Sequence, residues 1–180
     1  YAELKNEDIK NSQNKAELLK RVLESLALTM EIYQQNVITK DEFMTFLSEV
    51  QSNLASALLN QVSIEEFYER NLLQPVEDDL QFHNKDFQEY LAAKELSRNS
   101  KLCHAIFDLI FDDELSEFFP SWFNTIQYLV SINPTLIPVF IEFIFRRNNP
   151  TDEPLINYII PLHSNMLSNL NDTQKHLIFE

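Results

Sequence analysis

Phe82-His83-Asn84-Lys85-Asp86-Phe87-Gln88-Glu89-Tyr90-Leu91-Ala92-Ala93-Lys94-Glu95-Leu96 is the stretch on which the fold turns. It begins inside an alternating run, Leu80-Gln81-Phe82-His83-Asn84, with the period of a half-buried strand. Asp86-x-x-Glu89 then has capping-box spacing, in which two side chains cover the free amides at a helix start. The predicted helix shows Phe87, Tyr90 and Leu91 on one face, and Ala92 and Ala93 are small enough to admit a close neighbouring helix.

Working toward the N-terminus, Leu72-Leu73-Gln74-Pro75 reads as a second strand, joined to the first by an acidic turn from Val76 to Asp79. Ser63-x-x-Glu66 is a capping box opening a helix that carries Phe67 and ends near Asn71. Thr39-x-x-Glu42 opens another with Phe43, Phe46, Leu47 and Val50, and Leu54 to Leu59 continues it or begins a further one. Between Lys15 and Tyr33, Leu18, Leu19, Val22, Leu26, Met30 and Tyr33 recur at helical spacing. Residues 1–14 are a polar lead-in, either frayed or a solvated helix. Helices, a hairpin and one more helix make a winged-helix-like subdomain over 15–98.

After Arg98 the character changes. Phenylalanine-rich apolar segments at 102–111, 118–131, 134–146, 154–168 and 171–179 are separated by Asn, Pro and Asp. Pro120, Pro134 and Pro154 stand where a first helical turn tolerates proline, and Asn133 is placed to cap the helix after it. The expected fold class is therefore mainly α: the winged-helix-like subdomain with its short β-hairpin, then an antiparallel helical subdomain over 99–180, bundle or solenoid-like.

Glycine is absent from all 180 residues, where ordinary usage of about 7% predicts roughly a dozen. A phosphate-cradling loop needs glycine for close backbone approach and positive φ, so neither a P-loop nor a dinucleotide turn is present. The net charge of −14 repels phosphate backbones and argues against nucleic acid. The longest apolar run, Leu136 to Phe145, carries Pro138 and Glu142 and falls short of the roughly 20 residues of a membrane span. The single cysteine, Cys103, forms no internal disulfide, which fits a cytoplasmic setting. Because the chain starts at Tyr1 rather than methionine, it is expected to be excised from a larger protein.

Other chemistry has plainer readings. Asp108, Asp112, Asp113, Glu114 and Glu117 read as a solvated charge run at a helix end. His104, His163 and His176 lack partners at metal-ligand spacing, so no metal site is expected. Cys103 reads as a buried hydrophobe, and Trp122 with Phe118, Phe119 and Phe123 as core aromatics. Ile38 to Phe43 has the look of an EF-hand flank without the calcium loop. No catalytic residue is assigned.

The run from Phe82 to Ala93 resembles the Phe-x-His-x-Ser/Thr-Phe-Gln-Glu-Tyr-Leu-Ala-Ala signature late in the winged-helix region of NACHT-type (STAND) signalling NTPases. The resemblance covers about residues 16–98, and its motif residues are Phe82, Asp86, Phe87, Glu89, Tyr90, Ala92 and Ala93. It implies a regulatory region that holds a nucleotide-binding core closed with ADP, then swings away to permit oligomerisation. ATP or ADP and magnesium belong to that core, and none is expected in this chain. The implied partners are the core itself, with further protein partners or a self-oligomer, and neither nucleic acid nor membrane. In some members the motif's histidine reaches the β-phosphate of ADP. Aligned through Phe82 and Phe87, that position is Asn84, with His83 beside it. Asn84 either faces a nucleotide in the parent or caps or lines the hairpin-to-helix turn; along a strand, His83 would point to the opposite face. The alternative is a free-standing helical scaffold for protein interaction.

Overall fold

The stripe expected from Lys15 onward belongs to a longer helix, α1 (Ala2–Ile32), which runs unbroken across residue 14. A computed structural model of the chain describes residues 2–54, 64–69, 72–112 and 117–146. It is mainly helical and contains a small three-stranded antiparallel sheet. Two compact units divide the chain, Tyr1–Glu95 and Leu96–Glu180.

In the first unit, α1 buries Leu19, Val22, Leu23, Leu26, Ala27 and Met30, the i, i+3, i+4, i+7 repeat of one helix face. β1 (Ile38–Thr39), α2 (Lys40–Leu54), α3 (Ile64–Glu69), β2 (Leu73–Val76), β3 (Asp79–Phe82) and α4 (Lys85–Leu96) follow. Helix, strand, two helices and a hairpin, with sheet order β1-β3-β2, make a winged-helix arrangement. The expected hairpin is present, in the register Leu73↔Phe82 and Pro75↔Leu80. Pro75 is tolerated because β2 is an edge strand. Alternation buries Leu80 and Phe82 on the core side of β3, facing Leu73 of β2. Sequence reading missed β1, whose two residues pair Ile38↔Leu80 and Thr39↔Asp79. The Thr39 capping box forms in full. Glu42 N donates to Thr39 Oγ1 at 3.2 Å, while Thr39 N and Oγ1 each donate to Glu42 Oε2 at 2.9 Å and hold the Glu42 carboxyl below its ordinary range. Phe43 and Leu47 of α2 and Phe67 of α3 complete this core.

Tyr33 leaves the stripe and is 71% exposed. Helix α1 ends in a Schellman turn, in which Gln35 N donates to Met30 O at 2.8 Å and Gln34 N to Glu31 O at 3.1 Å. The turn rotates Tyr33 out and places Gln34 at φ 55°, a left-handed position that glycine ordinarily fills. Replacing Gln34 by glycine is expected to raise the unfolding free energy by about 1 kcal/mol, read from denaturant midpoints, because the Cβ clash is removed. Glu77 at φ 56° opens the tight β2–β3 turn in the same strained region.

In the second unit, α5 (Ser100–Leu109) starts at Asn99, whose side chain accepts from Leu102 N at 3.1 Å. Cys103, Ile106, Phe107 and Ile110 are buried at helical spacing. Two short strands, β4 (Phe111–Asp112) and β5 (Glu117–Phe118), follow as an antiparallel pair; they take in Phe111 and Phe118, the ends of two expected helical segments, and otherwise fall on the acidic run between them. Pro120 and Pro134 each begin a short 3-10 turn that leads into α6 (Phe123–Ile132) and α7 (Ile137–Arg146). Phe107 packs against Phe140 and Phe143 at centroid distances of 5.2 and 5.6 Å. Of the expected aromatic group, Trp122 is buried, whereas Phe119 is 42% exposed on the stretch linking β5 to the 3-10 turn. Asn133 occupies the expected cap position, but its side chain makes no cap bond; its Oδ1 instead accepts from Thr135 Oγ1 at 2.6 Å. The capping residue Ser63, the run 55–59 and the segments 154–168 and 171–179 lie outside the described residues, as do Pro154, His163 and His176.

Candidate functional site

The hairpin-to-helix turn is built by one side chain. Asn84 Oδ1 accepts from Phe87 N at 2.7 Å, so Asn84 is the N-cap of α4 and Lys85 its first helical residue. This corrects the capping box expected from Asp86 and Glu89. Asp86 lies one position inside the helix, exposed, where its charge favours the positive end of the helix dipole. Glu89 lies in the second turn and is buried. β3 ends at Phe82, so His83 and Asn84 are both exposed turn residues and strand alternation does not separate them. The Phe82 and Phe87 rings meet edge-on at 6.1 Å and fix the angle between strand and helix.

From that turn α4 is held to α1 by a polar seam. Gln88 is 1% exposed and uses both amide hydrogens: Nε2 donates to Glu31 Oε1 at 2.8 Å and to the Gln35 carbonyl at 3.0 Å. Lys85 Nζ pairs with the same Glu31 oxygen. Two turns on, Lys94 Nζ lies 3.5 Å from Glu24 Oε1, and Arg21 reaches Glu95 at 3.9 Å. Glu24 and Glu31 are both fully buried, one heptad apart on α1. Ala92 and Ala93 are also fully buried, as their size led one to expect, while Tyr90 is exposed with Lys94 Nζ 5.8 Å from its ring centre.

Sequence reading missed Glu24, Glu31 and Gln88. The available signal was two acids within the apolar stripe of α1, seven residues apart and flanked by Leu23 and Met30. A buried carboxylate needs a cation or donor from another element, and that partner is invisible to local periodicity.

Among the described residues no cluster of three or more His, Cys, Asp or Glu side chains is placed to hold a metal ion. Asp112 and Glu117 are backbone register partners in the β4–β5 pair, and Asp113 and Glu114 lie outside the described residues. Cys103 donates from Sγ to the Leu96 carbonyl at 2.9 Å, and burial pushes its thiol up to about 11. Thiolate is the reactive form, so alkylation of native Cys103 near pH 8 is expected to be about a hundredfold slower than in the unfolded chain, measured by mass spectrometry.

Helix α3 carries Glu65 and Glu66, and the turn between β2 and β3 carries Glu77 and Asp78 with Asp79 next to them, acidic side chains that repel phosphate. No helix among the described residues is long and apolar enough to cross a membrane.

No protein-family model, curated protein or solved structure matches the chain.

Proposed function

We propose that this chain is a non-catalytic regulatory region of a NACHT-type signalling NTPase, acting on a nucleotide-dependent conformational switch and on oligomerisation. The observation that carries this reading is the path of the signature run. Phe82 ends a wing strand, Asn84 caps the turn, and Gln88, Ala92 and Ala93 bury α4 at the close of a winged-helix arrangement. A domain without glycine supplies no phosphate loop, so ATP, ADP and magnesium belong to a core elsewhere in the parent protein, which is placed in the cytoplasm. The region would bias a two-state equilibrium by packing against that core in one state and leaving it in the other.

Asn84 Oδ1 is committed to the cap, so a phosphate contact at this turn would come from Asn84 Nδ2 or from His83. The isolated chain is expected to bind neither ATP nor ADP in calorimetric titration, and micromolar affinity would contradict the reading. The coding sequence upstream of Tyr1 gives the direct test: a strand followed by Gly-x-x-x-x-Gly-Lys-Ser/Thr supports it. Absence of such a loop favours the second reading, a free-standing helical scaffold, to which the exposed Tyr33, Met44 and Phe119 side chains lend support.

A further inference from the structure

The C-terminal end of α1, strand β1 and the first turns of α2 enclose an open cleft of about 520 Å³ within the first unit. Tyr33, Ile38 and Phe46 supply its apolar lining and Asp41, Glu42 and Glu49 its carboxylates, and among the described residues no lysine or arginine lines it. Tyr33 is 71% exposed, so an uncovered aromatic side chain stands in the wall of the cleft. Surface of this kind, rimmed by polar groups, marks interaction sites. The Glu42 carboxylate is pinned by two bonds from Thr39, which fixes a negative charge in the rim at no cost on binding.

We infer that this cleft docks a basic segment of a partner protein, one that alternates Arg or Lys with apolar side chains. Charge complementarity selects that occupant. Asp41 and Glu42 place carboxylates on the rim, and the net charge of −14 draws cationic segments toward it. An arginine side chain fits the chemistry on both counts: its guanidinium stacks on the exposed Tyr33 ring and pairs with a carboxylate, while apolar neighbours cover Phe46 and Ile38. This site is independent of the NACHT-type reading and stands or falls separately.

The test uses the whole chain and a labelled peptide alternating arginine and leucine, with its glutamate-for-arginine counterpart as control. Fluorescence anisotropy is expected to show binding of the basic peptide only, with amide shift changes confined to residues around Tyr33, Ile38 and Phe46. Tyr33→Ala, which removes no charge, and Asp41→Asn are each expected to weaken binding about tenfold. Both positions are exposed, so the fold should persist, as circular dichroism checks. Asp78→Asn at the wing tip removes the same charge elsewhere and should leave affinity within about twofold. The inference is overturned if the peptide does not bind, if all three substitutions weaken it alike, or if shift changes spread over the acidic surface. It is equally overturned if sedimentation shows a dimer that Tyr33→Ala dissolves, since a second copy would then fill the cleft.

Discussion

Substituting Phe67 by alanine is expected to lower the stability of the first unit by about 3–5 kcal/mol, the cost of emptying a fully buried aromatic site. Phe67 has no exposed surface and meets Phe43 edge to face at 5.3 Å with an interplanar angle of 90°. Helix α3 has only six residues, far below the roughly 12–15 at which an isolated helix becomes even marginal in water. Its helicity therefore depends on docking, chiefly through this ring, with Lys15 of α1 paired to Glu66 beside it. A domain with about 5–15 kcal/mol in hand loses a large part of it. Denaturant unfolding measures the drop, and hydrogen exchange in α3 should rise first. Phe67→Leu keeps most of the volume and should cost less than half as much. A loss below about 1 kcal/mol for the alanine variant would mean that α3 is not anchored by this contact.

Lys85→Met is expected to cost about 3 kcal/mol by leaving the Glu31 carboxylate in the core without its cation. Glu31 is fully buried, while the Lys85 side chain is 39% exposed, so the penalty falls on the acid and solvent spares the lysine its own. Gln88 Nε2 still donates to Oε1, which places the loss at the lower end of the range for broken buried pairs. The decisive comparison is a double-mutant cycle. Once Glu31→Gln removes the charge, Lys85→Met should cost less than about 1 kcal/mol, giving a coupling near 2 kcal/mol. Additive losses would show that the lysine acts through packing alone. Because this seam fixes α4 to the end of α1, the proposed regulatory region should release the signature helix most readily when Lys85 is changed.

Glu31 and Lys85 are 54 residues apart in the chain, which shows where reading the sequence stops. The helix faces of α1 and α2 were legible because their apolar residues repeat at 3.6-residue spacing, and the Thr39–Glu42 box was legible because its bonds span three residues. The hairpin was legible from alternation and its acidic turn. Strand β1 was not, since two residues carry no period and it exists only through pairing with β3. At the start of α4 two caps were compatible with the residues, Asn84 and Asp86. The end of β3 at Phe82 chose Asn84, because the chain must turn there for Phe87 to reach Phe82. Tyr33 fitted the stripe by spacing, and the turn at Gln34 sent it to solvent.

The sequence by itself determined the helical class, the wing, the absence of a phosphate loop and the small-residue face of α4, all from composition and near-neighbour spacing. Only the tertiary structure decided that Glu24 and Glu31 lie in the core, that Gln88 joins Glu31 to the Gln35 carbonyl, and that the end of α1 borders an acidic, apolar-lined cleft. A buried charge or an uncovered ring is defined by what the distant chain brings to it, and local periodicity holds no record of that partner.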